Sequence, residues 1–369
     1  MPNALPDPAG RFARDLIALA AAPTPDRPLA IAVSGGPDSM ALLRLAAIAF
    51  PASVIAATVD HRLRAAAADE AAMVAGWCRA QDIPHATLAP ATPPSGASIQ
   101  AQARHVRYAL LGRWALTAGA CALATAHHAD DQAETFLMRA ARASGPAGLA
   151  GIRPRWDFNP DRWAAMAPPR PYPRAGGGPE SDRPDVSAIH PGPLPARGYD
   201  RPIRLPIVRP LLGWRRHDLR TIAAALPFVD DPSNTDPRHD RTAVRALLAT
   251  GAFDPAALAA AAAHCREVDA ALGETIDWLW RTRRLPADPG EVRLDPTDLP
   301  RELCRRLARR AISAVRANGP CEGRWSDSAN IEPLLDALTA HKPATQAGVF
   351  VTPQADGWHF RPAPPRRSV

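Results

Sequence analysis

Lysine is almost missing from this chain: Lys342 is the one lysine among 369 residues, so arginine carries nearly all of the positive charge behind a net +7. Enrichment in Arg, Ala and Pro at the expense of Lys mirrors GC-rich coding. A pI near 9.8 is therefore compatible with an anionic partner such as RNA but does not establish one. Paired cysteines are missing too. Cys78, Cys121, Cys265, Cys304 and Cys321 stand far apart with no Cys-x-x-Cys, which excludes a disulfide framework or a zinc ribbon and fits a reduced cytosol. No apolar run reaches the length of a membrane span, and residues 1–10 lack the basic start of a signal peptide. A cytoplasmic protein with no membrane partner is expected. What is present is apolar material for a core, at 46% of residues, and a length that suggests two domains or one with a large appendage.

The stretch Leu29-Ala30-Ile31-Ala32-Val33-Ser34-Gly35-Gly36-Pro37-Asp38-Ser39-Met40 reads as strand, turn and helix start. Two adjacent glycines allow a sharp turn and close approach of a ligand, and Pro37 suits the first helical turn. The following helix directs free N–H groups and a positive dipole end at the turn, a geometry that binds phosphate. The string lacks the Gly-Lys-Ser/Thr ending of a nucleoside-triphosphatase loop and the spaced glycines of a dinucleotide fold.

Taken in order, residues 12–22 form a lead-in helix, and strands are expected at 29–33, 53–59, 85–88 and 121–125. Helices lie between them, the longest at 98–117 with Arg104, Arg107, Tyr108 and Arg113. Strands alternating with helices imply an α/β fold with a doubly wound parallel sheet, whose ligands bind beyond the carboxyl ends of the strands. The clusters after Val33, Val59 and Ala126 should then meet around one crevice. Residues 153–202, crowded with Pro and Gly, read as a flexible or disordered insert, a genome-driven expansion rather than an RNA-contacting flap. The expected organisation is a lead-in at 1–27, a catalytic domain at 28–245 and a mainly helical basic domain at 254–369 ending in a small strand or hairpin. The helix from Glu302 sets Leu303, Leu307, Ala311 and Val315 on one face; its arginines 301, 305, 306, 309 and 310 suit a solvated face or a phosphate backbone.

In His127-His128-Ala129-Asp130-Asp131-Gln132-Ala133-Glu134-Thr135, a helix beginning near Asp130 places Asp131 and Glu134 on one face. Asp130 as N-cap and acids matching the dipole explain part of the pattern, but not two adjacent histidines. Another reading is a divalent-metal phosphoesterase with Asp60, His61, His127, His128 and Asp131 as ligands, which has no need of the phosphate-binding turn.

The Ser-Gly-Gly-x-Asp-Ser loop resembles that of the PP-loop ATP pyrophosphatases. Within them, Val59-Asp60-His61-Arg62-Leu63-Arg64, the His-His-x-Asp-Asp element, Arg209-Pro210-Leu211-Leu212 and Asp231-Pro232-Ser233-Asn234-Thr235-Asp236 are similar to the tRNA(Ile)-lysidine synthetase family. The His-His-x-Asp-Asp element is shared with tRNA 2-thiocytidine enzymes, whose paired cysteines are not found here. The resemblance implies a Rossmann-like catalytic domain, with tRNA docking on the C-terminal one. It also implies ATP-dependent joining of free L-lysine to the wobble cytidine of the isoleucine tRNA with a CAU anticodon, through an adenylated base; a homodimer is admitted.

By the same resemblance Ser34, Gly35, Gly36, Pro37, Asp38 and Ser39 bind ATP, both serine hydroxyls included. Asp38 and Asp131 hold Mg2+, and Asp38, His127 and Asp131 are catalytic. Asp60, His61, Arg104, Glu134, Arg209, Asn234, Arg241 and Arg245 meet substrate or phosphate, with Asp131 or Glu134 receiving the lysine ammonium. The family commonly carries glycine where Arg62 stands, and Asn where Thr242 and Ala243 stand.

Overall fold

The computed structural model describes residues 7–63, 66–96, 99–165, 204–230, 240–318, 321, 325–326 and 329–364. Spatial contacts divide the chain into two compact units, Met1–His264 and Cys265–Val369. The first opens with α1 (Pro8–Ile17), which buries Phe12 and Leu16. It continues through β1 (Leu29–Ala32), α2 (Pro37–Ala49), β2 (Val54–Val59), α3 (Ala66–Ala80), β3 (His85–Leu88), α4 (Ile99–Thr117), β4 (Ala122–Ala124) and α5 (Ala129–Ala140). After these come α6 (Pro146–Leu149), β5 (Arg155–Phe158), α7 (Pro160–Ala165), β6 (Leu205–Val208), α8 (Arg216–Ala223), α9 (Asp240–Ala249) and α10 (Pro255–Thr282).

The strands form a six-stranded sheet in the order β3-β2-β1-β4-β6-β5. All neighbours are parallel except the edge pair β5 and β6. β1 is apolar throughout because the sheet is covered on both faces. Its Leu29 and Ile31 join the core beneath α1, α2 and α8, whereas Ala30 joins the core of Tyr108, Leu111 and Phe158 on the opposite face. Strand order reverses between β1 and β4, the place where an open α/β sheet leaves a crevice.

In the first unit the expected strands and helices stand within about five residues of their expected ends, with one departure. The segment read as a structureless insert from Arg153 contains β5 and α7. Trp156 pairs in register with Ile207, Phe158 is fully buried, and Trp163 stacks on His105 at 4.5 Å between ring centroids. Proline-rich composition masked a short aromatic strand whose partner, β6, lies far along the chain. Residues 166–202 of that insert, and the Asp231–Asp236 motif with Asn234, lie outside the described residues.

The second unit, beyond the first turns of α10, adds β7 (Arg284–Leu285), β8 (Val292–Leu294), α11 (Arg301–Ala317), α12 (Glu332–Thr339), β9 (Ala344–Gln346), β10 (Val349–Gln354) and β11 (Gly357–Pro362). The expected terminal hairpin is β10 and β11, set within a five-stranded antiparallel sheet ordered β7-β8-β11-β10-β9. Leu307, Ala311, Ile312 and Val315 of α11 are buried beside Val349, Val351 and Phe360. The arginines of α11 do not present an unpaired face to a polyanion. Arg301 binds Glu332 and Asp336, Arg305 binds Glu302 and Glu332, Arg306 binds Glu302 and Asp269, and Arg310 binds Asp277. Apart from Glu302, the carboxylates that meet them come from other elements, which the helix's own sequence does not disclose. Among the described residues no helix is long and apolar enough to cross a membrane.

Candidate active site

The segments that follow β1, β2 and β4 meet around a crevice of about 870 Å3. Its lining includes Ser34, Asp38, His61, His127 and Asp131, so the expected convergence holds.

One wall is the turn between β1 and α2. Gly35 sits at φ +83°, a left-handed conformation that disfavours a side chain. Gly36 caps α2 and Pro37 opens it. The Ser39 hydroxyl accepts from Ser34 N–H at 3.1 Å and donates to Gly36 C=O at 2.9 Å. Ser39, 5% exposed, thus shapes the turn and also lines the crevice. The exposed Ser34 hydroxyl does face the crevice. The N–H groups of Gly35, Gly36 and Asp38 find no partner among the described residues. Val229 N–H, bonded to Gly35 C=O at 3.0 Å, fastens the turn from behind.

The acidic wall comes from α2 and α5. α5 starts at Ala129, and its N-cap is His128 rather than Asp130. His128 Nδ1 accepts from Asp131 N–H at 3.4 Å, while Asp131 accepts from His128 N–H at 3.1 Å. Asp130 turns away to accept from the backbone N–H of Arg216 at 2.8 Å. The His128 Nδ1 thus caps the helix where a carboxylate was expected, and Asp131 completes the reciprocal pair while lining the crevice. The His128 Nε2 lies 3.4 Å from Asp38 and 3.6 Å from Asp131. Burial opposes charge on this ring, but the two carboxylates prevail and hold its pKa above the ordinary value. Burial, reinforced by the charge of Glu134, lifts the pKa of Asp131 against the pull of His128 and Arg216.

Oδ1 of Asp38 is buried and without a partner among the described residues. That orphan oxygen and the nearby Asp131 are hard donors, and one or two carboxylates completed by phosphate and water suit Mg2+. The residues fit that ion. The five ligands of the phosphoesterase reading do not: among the described residues no three His, Cys, Asp or Glu side chains gather as a metal-binding group.

The basic wall is α4 and α9. Arg104, Arg107 and Arg241 line the crevice, and no carboxylate pairs with them among the described residues. Burial, then the neighbouring Arg104 and Arg241, lowers the pKa of Arg107 against Tyr108. Burial and then Arg209, Arg104, Arg107 and Arg241 press the pKa of His127 well below its usual value, so the ring is neutral. His61 is lowered by burial and Arg107, against Asp60.

Other expected site residues stand behind this lining. Asp60 accepts from Arg62 N–H at 2.7 Å within its own turn. Glu134, 1% exposed, accepts from Arg216 at 3.0 Å and Arg245 at 2.7 Å on the same Oε1. It is therefore an internal anchor for two crevice arginines. Arg209 is 4% exposed and bonds to His127, Tyr108 and the Arg153 carbonyl. Arg107, Tyr108, Arg216, Arg220 and Asp230 also line the crevice and were not chosen from sequence. Arg107 carried a signal, since it lies one turn beyond Arg104 on the same helix face. Arg216 carried none, because only the packing of α8 on α2, with its first residue bonded to Asp130 and Glu134, brings it in. Among the described residues no cysteine lines the crevice.

The PP-loop domain family matches residues 9–172. The chain is 38% identical to the tRNA(Ile)-lysidine synthase of Novosphingobium aromaticivorans, over 98% of this chain and 95% of that one. It is also 38% identical to the tRNA(Ile)-lysidine synthase of Zymomonas mobilis, over 92% of this chain and 90% of that one. Among solved structures it is similar to the U34-tRNA thiolase NcsA from Methanococcus maripaludis, at 14% identity and a TM-score of 0.47, covering 71% of this chain and 76% of that one.

Proposed function

Because the chain belongs to the tRNA(Ile)-lysidine synthase family, we propose that it joins free L-lysine to the wobble cytidine of the isoleucine tRNA with a CAU anticodon. In this reaction ATP adenylates the carbonyl oxygen of the base and pyrophosphate leaves. The ε-amine of lysine then attacks the activated carbon, AMP leaves, and lysidine is formed. The modified tRNA reads AUA in place of AUG and is charged with isoleucine in place of methionine. The reaction takes place in the cytoplasm.

One observation carries this reading: a phosphate-binding turn, two carboxylates and a wall of arginines that meet no carboxylate among the described residues converge on a single crevice. The N–H groups of Gly35, Gly36 and Asp38, with the Ser34 hydroxyl, hold the pyrophosphate half of ATP. Asp38 and Asp131 would hold Mg2+, which when bound neutralises the phosphates and favours departure of pyrophosphate. Arg104, Arg107 and Arg241 offset negative charge that the carboxylate wall cannot, and suit the α-phosphate and the RNA backbone. Glu134 already serves Arg216 and Arg245, which leaves Asp131 to meet the ammonium of lysine. Attack requires the neutral amine, so a nearby carboxylate takes its proton. Docking of the tRNA body on residues 254–369 is carried over with the family, not by the arginines of α11.

The test is incubation with isoleucine tRNA, ATP and labelled lysine, omitting each in turn. Label should enter tRNA only with the full set, and Asp38→Ala should abolish it. Incorporation without ATP, or unchanged incorporation by D38A, would contradict the assignment.

A further inference from the structure

Arg209 is a buried guanidinium whose side-chain partners among the described residues are all uncharged: its Nε reaches His127 Nδ1 at 3.3 Å, one terminal nitrogen reaches the Arg153 carbonyl at 2.5 Å, and the other reaches the Tyr108 hydroxyl at 3.3 Å. A guanidinium only donates hydrogen bonds. His127 Nδ1 must therefore accept, and its lone pair is held between Arg209 and the Thr125 hydroxyl 3.0 Å away. The proton of the neutral ring then sits on Nε2, at the opposite side of the imidazole. His127 lines the crevice whereas Arg209 does not, so Nε2–H is what the ring offers to a ligand.

We propose that Arg209 is a positioning residue that locks His127 in the Nε2–H tautomer, as a fixed hydrogen-bond donor to a substrate oxygen, and that His127 is not the base that takes the proton of lysine. A ring whose lone pair is occupied cannot receive a proton, and four arginines around it disfavour the imidazolium. A neutral N–H is instead suited to an oxygen that gains negative charge, either on the cytidine carbonyl or on the phosphoryl group. Its kinetic consequence rests on the reaction proposed above; the tautomer does not.

The experiment uses the full chain with nitrogen-15-labelled histidine. The His127 ring in the native protein should show a protonated Nε2 and an unprotonated Nδ1 at neutral pH. In Arg209→Gln the ring should titrate more readily or populate both tautomers, and Arg209→Lys should keep more of the native signature. Lysine incorporation by R209Q should fall roughly ten- to hundredfold in kcat, with little change in KM for ATP. H127Q, which keeps a donor but is no base, should retain more activity than H127A. A native His127 protonated on Nδ1 or doubly protonated would overturn the proposal, even if R209Q fails to fold. An unchanged ring signature in folded R209Q would also overturn it. A native chain that shows the expected tautomer but incorporates no lysine would sink the reaction and leave the tautomer standing.

Discussion

Arg245, on α9, donates from Nε to Oε1 of the buried Glu134, on α5, across 2.7 Å. This bond ties the helix that follows the Asp-Pro-Ser-Asn motif to the helix that carries the His-His-x-Asp-Asp motif. Arg216 converges on the same oxygen at 3.0 Å, so one carboxylate holds two guanidiniums at the crevice.

Glu134→Gln should therefore destabilise the first unit by about 2–4 kcal/mol, because two cations lose the buried charge that compensates them. Arg245→Gln should cost less, since its side chain is partly exposed and water can replace part of the pair. The double variant should cost less than the sum of the two. Urea unfolding checks all three, and E134Q within about 0.5 kcal/mol of the native chain would refute the anchor role.

Gly35→Ala and Gly36→Ala should part ways. Position 35 has a left-handed φ, where an added Cβ is strained although it would meet Met73 only in ordinary contact at 3.4 Å, so G35A should lower stability by about 1–2 kcal/mol. At position 36 the backbone is ordinary, and the nearest atom to a Cβ is the Ser34 Oγ at 3.6 Å. G36A should fold normally and raise KM for ATP by filling the phosphate approach. Thermal melts and ATP titrations of both variants separate the two effects.

Arg62 stands at φ +55°, where the family commonly has glycine, and its N–H is tethered to Asp60. Replacing it with glycine removes a conformational penalty of about 1 kcal/mol but adds freedom to the unfolded chain. Arg62→Gly should leave the melting temperature level or slightly raised; a clear fall would mean that the arginine side chain has a structural partner.

His85, bonded to Thr58 at 3.0 Å, has its pKa lowered by burial to about 4. The unfolded chain binds more protons than the folded one between that value and the ordinary 6.5. Its contribution is complete above the unfolded pKa and is lost as pH falls toward the folded one. The loss should be on the order of 1–2 kcal/mol after allowance for partial exposure. His85→Gln should flatten this part of the stability profile between those pH values, as read from urea midpoints against pH.

The phosphate turn, the alternation of strands and helices and the three clusters at strand ends were legible because each depends on neighbours in sequence. A turn residue needs its glycine, a buried strand its apolar run, a helix its spacing. The misread residues are of another kind. Phe158 and Trp156 sit on a strand whose pairing partner is β6, after a long proline-rich segment, so composition pointed to a loop. The N-cap of α5 went to His128 instead of Asp130 because Arg216, from a distant helix, draws Asp130 away.

The sequence by itself determined the fold class and the list of groups that could touch phosphate, since strand, turn and helix signals and motif spacing are local. Only the tertiary structure decided which of them face the crevice. Arg104, Arg107 and Arg241 reach the crevice without a carboxylate among the described residues, whereas Arg245 shares Glu134, Arg209 backs His127, and the arginines of α11 are paired. An arginine has the same charge everywhere in a chain; its availability depends on which acids and carbonyls folding brings within a few ångströms, and those partners are far away in sequence.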